Sequence, residues 1–173
     1  MAYLKVHYPQ IFYAELFYFN FKSPKKQDFL MELDKQAIRL LAPDVLRSDL
    51  KVSIDGKNLR MGFLVIDGIG LEVAKEIVTK RQYLNDENSL LDFVFEVLDK
   101  IKISKTQVSK LIDAGCFDRY GYNRPTLKNF ILNILKTDAY KLYKIGGEIE
   151  IEQIEDVSFD ENYLNEKNAL SVN

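Results

Sequence analysis

A single cysteine, a single histidine, four prolines and eight glycines in 173 residues limit what this chain can be. Cys116 has no second thiol to pair with, which excludes an internal disulfide framework and fits a reducing compartment, so a cytoplasmic setting is expected. Cys116 itself reads as a small buried residue, not a nucleophile. His7 stands alone, which removes histidine-rich metal sites and disfavours a histidine-based triad; it reads as packing within a helix break. No glycine cluster leads into Lys-Ser or Lys-Thr, so a Walker-type phosphate loop is absent. No apolar run reaches the roughly 18 residues that a membrane-spanning helix needs. Met1 to Phe21 is apolar but broken by Lys5, His7, Pro9, Gln10 and Glu15, unlike a secretory signal. Hydrophobic residues make up 47%, enough for a packed core and too many for wholesale disorder.

The most informative string that is present runs Ile66-Asp67-Gly68-Ile69-Gly70, followed by Leu71, Ala74, Ile77 and Val78 at helical spacing. This is the pattern of a helix-hairpin-helix turn. Gly68 and Gly70 both permit positive φ, and neither puts a side chain between backbone and neighbour. Loop amides at a helix N-terminus then face outward, where the helix dipole is positive, and form a ready seat for a phosphate oxygen. Such a seat grips a nucleic-acid backbone without reading bases. The same string also serves as a plain tight turn closing helix on helix.

Charge is unevenly spread behind the net −2. Residues 1–61 hold ten basic and seven acidic residues, a net +3; residues 62–99 hold three and eight, a net −5. Residues 100–144 hold ten basic residues, Lys136 among them, against three acidic ones, a net +7; residues 145–173 hold one against eight, a net −7. A basic block next to the hairpin is the electrostatic footprint of a phosphate binder, or else a solvated helix face. The acidic tail partly cancels its field.

Ala2 to Phe21 reads as helix, interrupted near Pro9, and carries eight aromatic residues on more than one face. So many rings imply core or inter-domain contact; stacking on bases is the alternative. Ser23-Pro24 reads as N-cap and first turn of a helix carrying Phe29, Leu30, Leu33, Ala37, Ile38 and Leu41, stopped by Pro43. Asp55-Gly56 between Val52–Ile54 and Asn58–Arg60 predicts a two-stranded ribbon. Helices are expected over Met61–Ile66, Leu71–Arg81 and, capped by Ser89, up to Leu98. Ser104–Gln107 is a capping box opening a helix to Ala114, Gly115 fits the position just past that helix, and Asn123-Arg124-Pro125 starts the next, to Lys136. The two helix pairs form a tandem, four-helix unit. From Gly146 onward, an alternating Glu/Ile stretch and an Asn-rich polar end read as a weak strand or a poorly ordered linker. The fold class is therefore mainly α, with a helical segment, a small β-ribbon and a tandem hairpin unit.

Several landmarks, in order, resemble the bacterial DNA polymerase III alpha subunits, the C-family replicative polymerases. Ala2 to Pro9 with Phe12-Tyr13-Ala14 resembles the last part of that family's fingers. Ala42-Pro43-Asp44-Val45, Ser48-Asp49, the Asp-Gly ribbon and Leu59 to Phe63 follow in the family's order, then Gly68-Ile69-Gly70. Leu111 to Asp118 with Gly121, Asn123 and Arg124 resembles the second hairpin. The match spans about residues 2–135 and is closer to the general replicative type than to the Gram-positive paralogue with an internal exonuclease. Tyr163-Leu164 to Leu170-Ser171 faintly resembles the approach to the family's OB-fold domain.

The resemblance implies three parts: residues 1–60 as the end of the fingers with the ribbon, 61–136 as a tandem helix-hairpin-helix DNA-binding domain, and 137–173 as an acidic, flexible linker towards an OB-fold. It implies an excised piece of a longer polymerase, with Met1 an added start. The parent's activity would be DNA-directed DNA synthesis, a nucleotidyl transfer served by Mg2+ on palm carboxylates. No Asp or Glu pair here maps onto those carboxylates, so no catalytic residue, metal or cofactor is expected in this chain. The implied role is sequence-independent holding of duplex DNA, with the rest of the polymerase and replisome subunits as further partners. Gly68, Ile69 and Gly70 would offer amides; Lys75, Lys80 and Arg81 would be nearby cations; Lys110, Arg119 and Arg124 would serve the second hairpin. Many relatives carry Lys where Asp67 stands, which weakens the first loop.

Two competitors stay open. A stand-alone hairpin adaptor that binds protein is favoured by the −5 of residues 62–99 and opposed by the +7 of residues 100–144. A structural linker module shares the fold without the affinity. A hairpin glycosylase with lyase activity is disfavoured, because Glu72 stands where its nucleophilic lysine belongs.

Overall fold

The computed structural model describes residues 2–21, 23–135 and 137–170. Met1, Lys136 and Ser171, used in the sequence reading, lie outside them. The chain opens with α1 (Ala2–His7) and α2 (Pro9–Phe21), divided at Tyr8, with Pro9 in the first position of the new helix. Tyr13, Phe17 and Phe21 fall one turn apart on α2 and form its buried stripe. Phe17 and Phe21 stack with ring centroids 4.6 Å apart, and Phe29 of α3 (Lys26–Lys35) meets Phe17 edge-on. Of the eight aromatic side chains expected to be covered, Tyr3, Tyr8 and Phe19 remain exposed.

α3 departs from expectation at both ends. Ser23-Pro24 forms a turn, Ser23 Oγ accepting from the Lys25 amide, and the helix starts two residues later without a side-chain cap. It stops at Lys35. The Ile38 amide reaches back to the Leu33 carbonyl and the Ala37 amide to that of Asp34, with Ala37 at φ +53. This Schellman-type ending frees the next residues to become β1 (Leu40–Leu41). β1 lies parallel to β3 (Asn58–Arg60), which pairs antiparallel with β2 (Ser53–Asp55), giving the order β1-β3-β2. The expected two-stranded ribbon is thus a three-stranded sheet. Leu40 and Leu41 carry helical spacing from Leu33 in the sequence, but Leu59, fully buried on the central strand, needs a neighbour on each side.

Between the sheet and the hairpins the chain passes a tight crossing. Phe63 and Leu64 amides bond to the Asp49 and Leu50 carbonyls. A Cβ on Gly62 would fall 2.4 Å from the Lys51 carbonyl carbon, so only glycine lets these two backbones meet. Ser48, fully buried, donates to the Met61 carbonyl at 2.6 Å and accepts from the Asp44 amide at 2.8 Å, pinning the same crossing.

The expected helix over Met61–Ile66 is only a short 3-10 turn, Phe63–Val65. α4 (Leu71–Lys80) follows, then α5 (Leu90–Glu96) under a Ser89–Asp92 capping box, α6 (Lys105–Asp113) under the Ser104–Gln107 box, and α7 (Arg124–Ile134), capped by Asn123 with Pro125 in its first turn. Val108, Leu111 and Ile112 of α6 and Leu127, Phe130 and Ile131 of α7 are buried in the common core. α8 (Ala139–Lys144) follows, and beyond Gly146, where the pattern reads as a weak strand or a linker, a stretch without helix or strand leads into α9 (Phe159–Ala169). None of the described helices is long and apolar enough to cross a membrane.

Candidate nucleic-acid interface

The first hairpin keeps the expected Gly-Ile-Gly loop at the start of α4, entered from a 3-10 turn in place of a helix, and its two glycines do different work. Gly68 has φ +79, a left-handed value at which a side chain is strained. Gly70 has φ −82 and ψ 170, ordinary extended backbone, and a Cβ there meets nothing within 4 Å. The expectation of positive φ at Gly70 is therefore wrong. Its value lies in the open space it leaves at the start of α4.

Ile69 also takes a different role. Its side chain is buried and its amide is already bonded to the Ile66 carbonyl at 3.2 Å, so it anchors the loop and its amide is not on offer. Among the described residues, no acceptor serves the amides of Gly68, Gly70, Leu71 and Glu72, and no side chain caps α4. These are the donors a phosphate would use.

The cations fall into two groups. Lys75 and Lys80 are exposed on α4 and Lys110 is half-buried on α6, none with an ion pair among the described residues. The three arginines are internal. Arg81 is 9% exposed, donates to the Val45 carbonyl at 2.6 Å and to the Ser48 carbonyl, and lies 5.4 Å from the Phe63 ring centroid. It braces α4 against the crossing below the sheet, and burial pushes its pKa down. Arg119 bonds to Asp44 at 2.8 Å and to Asp86, which also takes Arg47. Arg124 donates to the Asp113 carbonyl at 2.8 Å and pairs with Asp118 at 3.1 Å and Glu166 at 2.8 Å. Arg81 therefore leaves the surface set, and Arg119 and Arg124 are engaged inside the molecule.

Two polar residues that the sequence reading used only as caps also join the site. Gln107 closes the α6 capping box and donates Nε2 to the Gly68 carbonyl at 3.1 Å, tying the second hairpin to the first loop. Asn123 caps α7 through the Thr126 amide at 2.9 Å and donates Nδ2 to the Ile154 carbonyl at 2.7 Å. Both longer contacts cross 31 residues or more, a separation that no local pattern reports. Among the described residues, no three His, Cys, Asp or Glu side chains are placed to hold a metal ion.

A 3-10 turn and α4 joined by a tight glycine loop with bare amides at the helix start, followed by the α6–α7 pair joined over residues 114–123, define a helix-hairpin-helix protein. The family described as "Helix-hairpin-helix motif" matches residues 37–127, more than half of the chain, and the chain belongs to it. Its relatives narrow the kinship. It is similar to the DNA polymerase III subunit alpha of Aquifex aeolicus (strain VF5), 31% identical over 170 residues, which is 94% of this chain and 14% of that protein. It is likewise similar to the same subunit of Staphylococcus epidermidis (strain RP62A), 32% over 140 residues, and of Staphylococcus aureus (strain Mu50), 34% over 141 residues, each covering 80% of this chain and 13% of the relative. The chain thus spans about one seventh of the length of these relatives. The likeness to the polymerase III alpha subunits read from the ordered landmarks holds along most of the chain.

Proposed function

We propose that this chain holds duplex DNA by its phosphates, without reading base sequence, as the hairpin portion of a replicative DNA polymerase. One observation carries the reading: the bare amides of Gly70, Leu71 and Glu72 at the start of α4, over a Gly70 that leaves the approach open. Exposed Lys75 and Lys80 on the same helix, and half-buried Lys110 across the Gln107–Gly68 tie, supply positive charge, unpaired among the described residues, to the phosphates on either side. The kinship with polymerase III alpha subunits supports DNA as the ligand. Nucleotidyl transfer, its Mg2+, the other polymerase segments and the replisome partners belong to this proposal at the level of the whole polymerase. The chain's own residues contribute grip and not chemistry.

Reversing Lys75 and Lys110 to Glu should weaken binding of a random-sequence duplex by about tenfold or more in fluorescence anisotropy, because phosphate neutralisation dominates such affinity. Unchanged affinity with a native circular dichroism spectrum would overturn the assigned surface. Capture of a protein partner by the same face, with no duplex affinity, would favour the adaptor reading.

A further inference from the structure

The C-terminal segment touches both hairpins at their hydrogen-bond donors. The Asp67 amide, in the first loop, donates to the Ala169 carbonyl at 2.7 Å. Ala169 ends the 11-residue α9, so this carbonyl belongs to the negative end of a helix dipole and faces a loop beside the positive start of α4. At the second hairpin, Arg124 holds the Glu166 carboxylate at 2.8 Å and Asn123 gives its side-chain amide to the Ile154 carbonyl at 2.7 Å. In all three contacts the hairpin donates and the tail accepts through oxygen. Thr126 exchanges further bonds with Ile154, its hydroxyl accepting from the Ile154 amide at 2.8 Å. The tail is also the acidic part of the chain, with eight Asp/Glu against Lys167 over residues 145–173.

The anchor is small. Ala169 and Leu170 are buried, whereas Phe159, Tyr163 and Leu164 on the same helix are 54–82% exposed. Apart from that buried pair, the large apolar side chains of α9 add little to the core.

We propose that residues 154–170 are a built-in competitor for the hairpins: docked, they hold Asn123 and Arg124 of the second hairpin and set a helix C-terminus against the first loop, next to the open amides of α4, and duplex DNA binds by displacing them. The inference rests on the phosphate-holding reading above. Apparent affinity is then reduced by the fraction of molecules with the tail docked.

The test uses the full chain and a labelled random-sequence duplex. Glu166→Gln breaks the Arg124 contact and should tighten binding about three- to tenfold; Glu148→Gln removes the same charge from an exposed site of the acidic stretch outside residues 154–170 and should change it less than twofold. Hydrogen exchange on the unaltered chain gives a second readout. Saturating duplex should speed exchange in residues 159–169 and slow it in residues 67–72. Equal effects of the two substitutions, or unchanged exchange in α9 while duplex binds, overturn the competitor and leave the hairpin reading standing. Absence of duplex binding by all three proteins overturns both.

Discussion

Gly68 and Gly70 look alike in the sequence and differ in what a side chain would do. Gly68→Val places a β-branched residue at φ +79 and should destabilise the fold by about 1–3 kcal/mol in urea unfolding. Gly70→Val fits the extended backbone and should leave stability within about 0.5 kcal/mol, yet it fills the approach to the α4 amides and should weaken duplex binding. A destabilised Gly70→Val protein would contradict this assignment of roles. Acid adds a second handle at this scale. Bonds from Arg47 and then Arg119 lower the Asp86 pKa from 3.8 to about 2. A depressed carboxylate stabilises the fold above its ordinary pKa and loses that contribution as pH falls through the folded value. Asp86→Asn should therefore reduce stability above about pH 4 and match the unaltered chain below about pH 2. A constant difference across that window would mean that the ion pairs contribute nothing that titrates. The arginines mark where residue-level reading ends. Sequence distinguishes Arg from Lys but not Arg81 as a buried brace from Lys80 as an exposed cation, because that depends on Val45 and Ser48, more than 30 residues away.

Elements with strong end signals are legible: the Ser89 cap, the Ser104–Gln107 capping box, the Asn123 cap, and the Gly115 ending of α6, where the Cys116 and Gly115 amides return to Leu111 and Ile112. Those signals are local hydrogen bonds between residues two to five apart, which a linear pattern can carry. α3 was misread because its terminator is Ala37, a residue with no turn signature, in a run whose apolar spacing continues into β1. Ala37→Gly should relieve the left-handed strain and raise stability by about 0.5–1 kcal/mol, the gain being trimmed by glycine's freedom in the unfolded chain. A loss of stability would show that the Schellman-type ending does not constrain the helix. The third strand and the α9 contacts escaped for another reason. Leu40 pairs with Leu59, and Asp67 with Ala169, through backbone groups that every residue type possesses.

For the molecule as a whole, the sheet and the Gly62 crossing fix the first hairpin, Gln107 ties the second to it, and the acidic tail lies over both. The fold class and the hairpin identity were readable, since ordered landmarks and a single Gly-Ile-Gly string define them. The split between free lysines and engaged arginines was not, and it narrows the exposed charge available to DNA. The most direct measurement is duplex affinity across a salt series, for several unrelated sequences, with a single strand alongside. Each neutralised phosphate contributes about −0.9 to the slope of log K against log salt, so a grip on two to four phosphates gives a slope of about −2 to −3.5. That slope, shared by every duplex sequence, is the expected result. A flat salt response, or affinity that depends on base sequence, would contradict a phosphate grip by the hairpins.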